Sequence, residues 1–229
     1  MHVPDLIGYL SDLERNNNRA WFAMNKPRYD ILRAEFLQLV TALIGTIGKH
    51  DPAVLACNPA KALFRINRDT RFAKDKRPYK NTFSAAITAS GLKKPSQGGG
   101  PAYYFQINAE GRLMVAGGEW MPPPERLRQI RQAIEVDAAG LRKVLAGKRF
   151  AQTFGGLQEE GKLARAPKGY DPQHPEIDLI RNKNFIAWTE LDLRGEVPED
   201  LQKVIATGFR DVSGLVGWLR AVPPASLAD

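Results

Sequence analysis

Cysteine is almost absent: Cys57 is the only one in 229 residues. That excludes an intramolecular disulfide framework and a cysteine-rich zinc module, and it fits a reducing compartment. Three scattered histidines are too few for a histidine metal cage. No apolar run approaches the roughly 20 residues of a membrane span. The first ten residues carry Asp5 and no basic lead of the kind that opens a secretory signal. The expectation is a cytoplasmic protein without a membrane partner. Motifs with a fixed chemistry are missing too. There is no GxxxxGK[ST] phosphate loop, no GxGxxG fingerprint and no GxSxG elbow, and Gly98-Gly99-Gly100 and Gly117-Gly118 lack the strand-to-helix setting such glycines need. No cofactor is named by these residues. Asp171, His174, Glu176 and Asp178 crowd together and offer donors for a divalent ion. An acidic first turn of a helix accounts for them more simply, so no metal site is assigned.

What is present is a globular composition, 43% hydrophobic and 25% charged, which excludes a wholly disordered chain. The length accommodates one α+β domain over residues 1–222 with a frayed tail at 223–229. Leu6, Ile7, Leu10 and Leu13 recur at helical spacing behind Pro4 and Asp5, and Asn16-Asn17-Asn18 breaks that helix. Asn18 suits the N-cap of a helix over Arg19 to Met24. Tyr29, Leu32, Phe36, Leu39, Val40, Leu43 and Ile47 form one stripe of period 3.6, so the spacing predicts a helix from Lys26 to Ile47. Alternation predicts strands at Ala62–Asn67, with Phe64 and Ile66 inward, at Thr82–Ala89, and at Tyr103–Asn108 and Arg112–Gly117 around a Glu110-Gly111 turn. The helix Lys26 to Ile47 is expected on the Phe64/Ile66 face of that sheet. Leu92 to Pro101 reads as a loop. Pro122-Pro123-Pro124 leads into a helix with Leu127, Ile130 and Ile134 on one face and Arg126, Arg128 and Arg131 on the other. Asp137 then caps a short helix through Leu145, Pro175 starts another up to Asn182, Phe185–Leu191 is a strand, and Pro198 opens a final helix. Strands in the middle and helices at both ends give α+β with a mainly antiparallel sheet.

Charge is concentrated. The chain carries 33 Lys+Arg against 25 Asp+Glu, a net +8. Lys61 to Lys80 holds eight basic residues against Asp69 and Asp75, six of that excess. The run is interleaved with Phe64, Ile66, Phe72 and Tyr79, so it is no disordered tail. Arginine's planar fork suits phosphate and carboxylate. One reading is an anion pocket of Arg65, Arg68, Arg71, Lys74, Lys76 and Lys80, with Tyr79 as an aromatic or hydroxyl contact. The other is a salt-bridge network tied to Glu14, Glu35, Glu119 or Glu125. The positive excess favours the pocket, since an uncompensated cluster attracts anions. An enzyme acting on an anionic small molecule would then use Asp69, Tyr79 or His174 to carry a proton. A nucleic-acid-binding protein is the alternative partner class, permitted by the basicity and by the Arg126-Arg128-Arg131 face. A scaffold with a purely structural basic motif is the third.

The run Arg-Ile-Asn-Arg-Asp-Thr-Arg-Phe-Ala-Lys-Asp-Lys-Arg-Pro-Tyr-Lys at 65–80 follows Asn17, Arg19, Trp21, Phe22, Asn25, Lys26 and Tyr29. It precedes Gly117-Gly118-Glu119-Trp120-Met121-Pro122, then Pro167-Lys168-Gly169-Tyr170, His174-Pro175 and Phe185. Together these resemble a microbial family known as domain of unknown function 2461, over about Leu6 to Trp188. In that family a hydroxyl residue is common where this chain has Ala73, which argues against a catalytic side chain there. The resemblance implies no established activity, substrate or cofactor.

Overall fold

The computed structural model describes residues 1–89, 100–195 and 197–223. The expectations for 92–99 and for the end of the tail lie outside the described residues. Three helices open the chain: α1 (Val3–Arg15), α2 (Arg19–Met24) and α3 (Lys26–Ile47). Asn18 caps α2 by accepting from the Trp21 amide, and the stripe of α3 is buried as its spacing predicts, except Leu39, which is partly buried. A 3-10 turn (Pro52–Ala56) and the short α4 (Pro59–Ala62) lead to the sheet strands β1 (Thr82–Thr88), β2 (Ala102–Asn108) and β3 (Arg112–Glu119). Four helices follow: α5 (Pro124–Val136), α6 (Ala139–Leu145), α7 (Lys148–Phe154) and α8 (Ile177–Ile180). Strand β4 (Phe185–Asp192) and the long α9 (Leu201–Ala221) complete the order. The four strands pair antiparallel in the order β1-β2-β3-β4, so the fold is α+β with helices flanking one antiparallel sheet.

Alternation gives the sheet two different faces. Phe83, Ala85, Ile87, Tyr103, Phe105, Ile107, Leu113 and Val115 point into the core. Phe36 of α3 stands 5.4 Å from Phe83 and 5.0 Å from Phe105, ring centre to ring centre. Helix α9 lies directly on β3 because two glycines admit it. A β-carbon at Gly117 would sit 2.3 Å from Val212 Cγ1, and one at Gly208 would sit 2.8 Å from Val115 Cγ1. Asp51 fastens the other end of α9. It accepts from both terminal nitrogens of Arg220, at 2.8 and 2.9 Å, and from the Tyr103 hydroxyl at 2.9 Å.

The strand expected over Ala62–Asn67 does not form. Asn58 caps α4 through the Ala60 and Lys61 amides, which carries Ala62 into a helix, and among the described residues the chain beyond it forms just two isolated bridges, Leu63↔Ala85 to β1 and Asn67↔Tyr79 within the motif. Phe64 and Ile66 therefore do not share a face: Ile66 is 6% exposed and Phe64 37%. Phe64 instead meets Tyr104 edge-on at 6.0 Å, on the side of the sheet away from α9.

Candidate functional site

The basic motif folds as a loop clamped at its neck. Arg68 N donates to Pro78 O and Lys80 N to Ile66 O, both at 2.8 Å. Asn17, in the break between α1 and α2, acts as a neighbouring strand would: its Nδ2 donates to Tyr79 O and its Oδ1 accepts from Tyr79 N, each at 3.0 Å. Phe22 of α2 stacks on the Tyr79 ring at 4.1 Å and 17°. Asn17 and Phe22, some sixty residues ahead of Tyr79, thus hold the far end of the motif in place.

At that neck lies a polar cleft of about 300 Å³ lined by Asn17, Arg68, Asp75, Arg77, Tyr79, Lys80, Asn81 and Thr82. Asp75 bridges Arg68 at 2.6 Å and Arg77 at 2.7 Å. These two arginines, with the Arg77 amide, hold the Asp75 carboxyl well below the usual carboxylate range. The lining sets three cations against one carboxylate, with a second, Glu14, behind Asn81, from whose Nδ2 it accepts at 2.8 Å. Burial, and then the nearby Arg65, push the Lys80 ammonium below its ordinary value. No carboxylate of the described residues forms an ion pair with it.

The other residues singled out from the sequence lie outside this cleft. Arg71 clasps its own neighbour Asp69, and its guanidinium holds the Asp69 carboxyl at about 2. Lys76 donates to Thr70 O at 3.0 Å. Lys74 and Arg65 are exposed. His174 is remote from the motif's contacts: its Nδ1 accepts from the Glu176 amide at 3.0 Å, at the start of α8. Glu176 pairs with Arg142 and Asp178 with Lys162, so these acids anchor α8. Of the acids expected in a salt-bridge network, Glu35, Glu119 and Glu125 are not used, whereas Glu14 reaches the cleft by accepting from Asn81 Nδ2 at 2.8 Å and acts on Arg77 through space. The acids that form ion pairs with the motif's arginines are Asp69 and Asp75, inside the motif. Arg77, which was not among the residues singled out for the pocket, is a principal lining group, and its place beside Asp75 in the sequence was the available signal.

The outer face of the sheet carries a second cavity, of about 500 Å³. Register places Ala86, Tyr104, Ala116 and Trp188 in one row across the four strands, beside the row Thr88, Ala102, Gly118 and Ile186. Small residues form the floor. Phe64, Trp120, Trp188 and Met114 rise around it, with Trp120 and Trp188 edge-on at 6.0 Å. Gly118 has φ +126°, and a β-carbon there would lie 2.1 Å from Phe185 O, so only glycine passes β3 this close to β4.

Two other parts of the sequence pattern serve packing. Glu119 and Arg126 form an ion pair with side-chain exposures of 6% and 18%. Arg126 also donates to Leu219 O and Val222 O, closing the C-terminus of α9. Arg128 pairs with Glu125, and Arg131 donates to Asn182 O at 3.0 Å. Arg126 and Arg131 are thereby engaged within the molecule, while Arg128 remains exposed beside Glu125 on its own helix. Comparison with curated proteins and with solved structures gives no match. The family profile described as conserved hypothetical protein, domain of unknown function 2461, matches residues 5–218, spanning the clamped motif, the sheet and α9, and the chain belongs to that family.

Proposed function

We propose that the protein binds a small oxyanion, a phosphate or a phosphoryl or carboxylate group of a larger molecule, in the cleft at the neck of the basic loop. The observation that carries this reading is the convergence of Arg68, Arg77 and Lys80 on one polar cavity that holds a single carboxylate. Asp75 and, from behind Asn81, Glu14 leave one positive charge of three uncompensated, and a half-buried ammonium beside two guanidiniums is stabilised by an incoming anion. Both arginines keep donors for a planar or tetrahedral oxyanion in a fixed fork. Asp69 and His174 do not line the cleft, and the reading is one of binding; a proton carrier is not part of it. Nucleic acid is the weaker partner class, because two of the three arginines of the α5 face, Arg126 and Arg131, are engaged internally.

The test is a thermal melt with inorganic phosphate against matched chloride. Phosphate binding only the folded state raises the midpoint by mass action. Arg77→Gln and Lys80→Gln should abolish the phosphate-induced shift, and Arg71→Gln, outside the cleft, should retain it. A shift absent from the native protein, or lost equally in Arg71→Gln, overturns the reading. A duplex oligonucleotide should bind weakly, and any binding should fall steeply with salt.

A further inference from the structure

We propose that the trough on the outer sheet face holds the apolar, ring-bearing body of an amphipathic anion whose charged end rests in the cleft on Lys80. This rests on the cleft reading above and adds the class of ligand. The two cavities lie on one face of one strand. Thr82 lines the cleft and Ala86 lines the trough, with Ser84 between them on the same side. Two residues of strand span about 7 Å, so the cleft mouth at Thr82 and the nearer edge of the trough, at Gln106 paired with Ser84, are within the length of one small molecule.

Phe64 joins them. Its ring forms part of the trough wall, and the Lys80 ammonium sits 5.1 Å from its centre. The position explains an oddity of the motif: an aromatic residue left 37% exposed beside a half-buried lysine. Such a pair presents an apolar surface and a cation within a few ångströms of each other, which complements a ligand with an anion at the edge of a ring.

The trough is also shaped for a flat group. Ala86, Ala102, Ala116 and Gly118 carry no side chain longer than a methyl, Tyr104 stands between Ala86 and Ala116, and Trp120 and Trp188 flank them. Aromatic faces and edges stack on planar rings at little conformational cost. The polar atoms of the floor are few, and the one acidic lining residue, Glu160, is solvent-exposed, so the charged end of the ligand is directed to Lys80 instead. The Tyr104 hydroxyl donates to Gln106 Oε1 at 2.8 Å, which leaves the Gln106 amide hydrogens to donate to a ligand.

Calorimetric titration of 1-naphthyl phosphate and of inorganic phosphate into the same protein tests this. Naphthyl phosphate should bind at least about ten-fold more tightly, the return expected from burying a bicyclic ring in an apolar site. Ala116→Leu and Ala86→Leu fill the floor and should remove that gain while leaving the affinity for inorganic phosphate unchanged. Should neither fold, Trp120→Ala at the exposed rim should reduce the gain instead. Equal affinities for the two ligands in the native protein, or a gain that survives in the folded variants, overturns the trough while sparing the cleft. Failure of inorganic phosphate to bind overturns the cleft and, with it, the role of Lys80 as the seat of the charged end. A native dimer that Ala116→Leu dissociates would assign the trough to a second copy of the chain and overturn the proposal.

Discussion

Replacing Arg126 by methionine should be among the most damaging single changes outside the apolar core. The substitution keeps an unbranched side chain of similar length, so packing against α9 is largely retained. What it removes is the guanidinium that meets Glu119, whose side chain is 6% exposed, and the donors to Leu219 O and Val222 O. Stranding a buried carboxylate costs about 3–5 kcal/mol. For a chain of this size that corresponds to roughly 6–20 °C in the melting temperature. The loss carries a pH signature. Burial already raises the Glu119 carboxyl above its ordinary value, and Arg126 is what opposes the rise. Without Arg126 the rise is larger, and between the unfolded value near 4.5 and the raised folded value the native state holds more protons than the unfolded one. The variant's stability should therefore be greatest below that unfolded value and fall as pH rises through the folded one. Urea unfolding at pH 5 and pH 8 measures both effects. The double variant Glu119→Leu/Arg126→Met should recover roughly half of the loss or more, since no charge is then stranded. A single variant within about 1 kcal/mol of the native protein, or a double variant no better than the single, refutes the argument.

Two further outcomes follow from the packing and the charges. Phe36→Ala, at a fully buried position, should cost about 3–5 kcal/mol, whereas Phe64→Ala should cost less than about 2 kcal/mol because its ring is partly in solvent; chemical denaturation of the two variants separates a core role from a trough-wall role. Lys80, held below its ordinary value by burial and Arg65, binds fewer protons in the folded state than in the unfolded one, so native stability should rise with pH between its lowered value and about 10.5; melts across that range should show the rise in the native protein and its absence in Lys80→Gln.

Most of the helices were legible because they rest on local signals; α4 and α7 were not assigned from the sequence. Asn18, Pro27 and the stripe from Tyr29 to Ile47 fix α2 and α3 without reference to anything distant. The Glu110-Gly111 turn likewise fixes the β2–β3 hairpin. The segment around Phe64 misled because alternation over six residues competes with an N-cap at Asn58 that starts a helix just ahead of it, and a strand needs partners that a loop through Ile66 cannot supply. The cleft was partly legible. Arg68, Tyr79 and Lys80 follow from the density of charge, but charge density does not reveal which arginines Asp69 and Asp75 take, and that pairing separates Arg71 from Arg68 and Arg77. Asn17 enters through a contact across sixty-two positions, beyond the reach of local pattern. The trough depends on register: Ala86, Ala102, Ala116 and Gly118 look like ordinary small strand residues until pairing sets them side by side.

The cleft is tested most directly by locating an anion in crystals of the protein grown without phosphate and soaked in tungstate, a heavy-atom mimic of phosphate. The account predicts an anomalous peak within hydrogen-bond reach of Arg68, Arg77 and Lys80, absent from Lys80→Gln crystals prepared in the same way. A peak on Arg71, Lys74 or the arginines of α5 with the cleft unoccupied would contradict it.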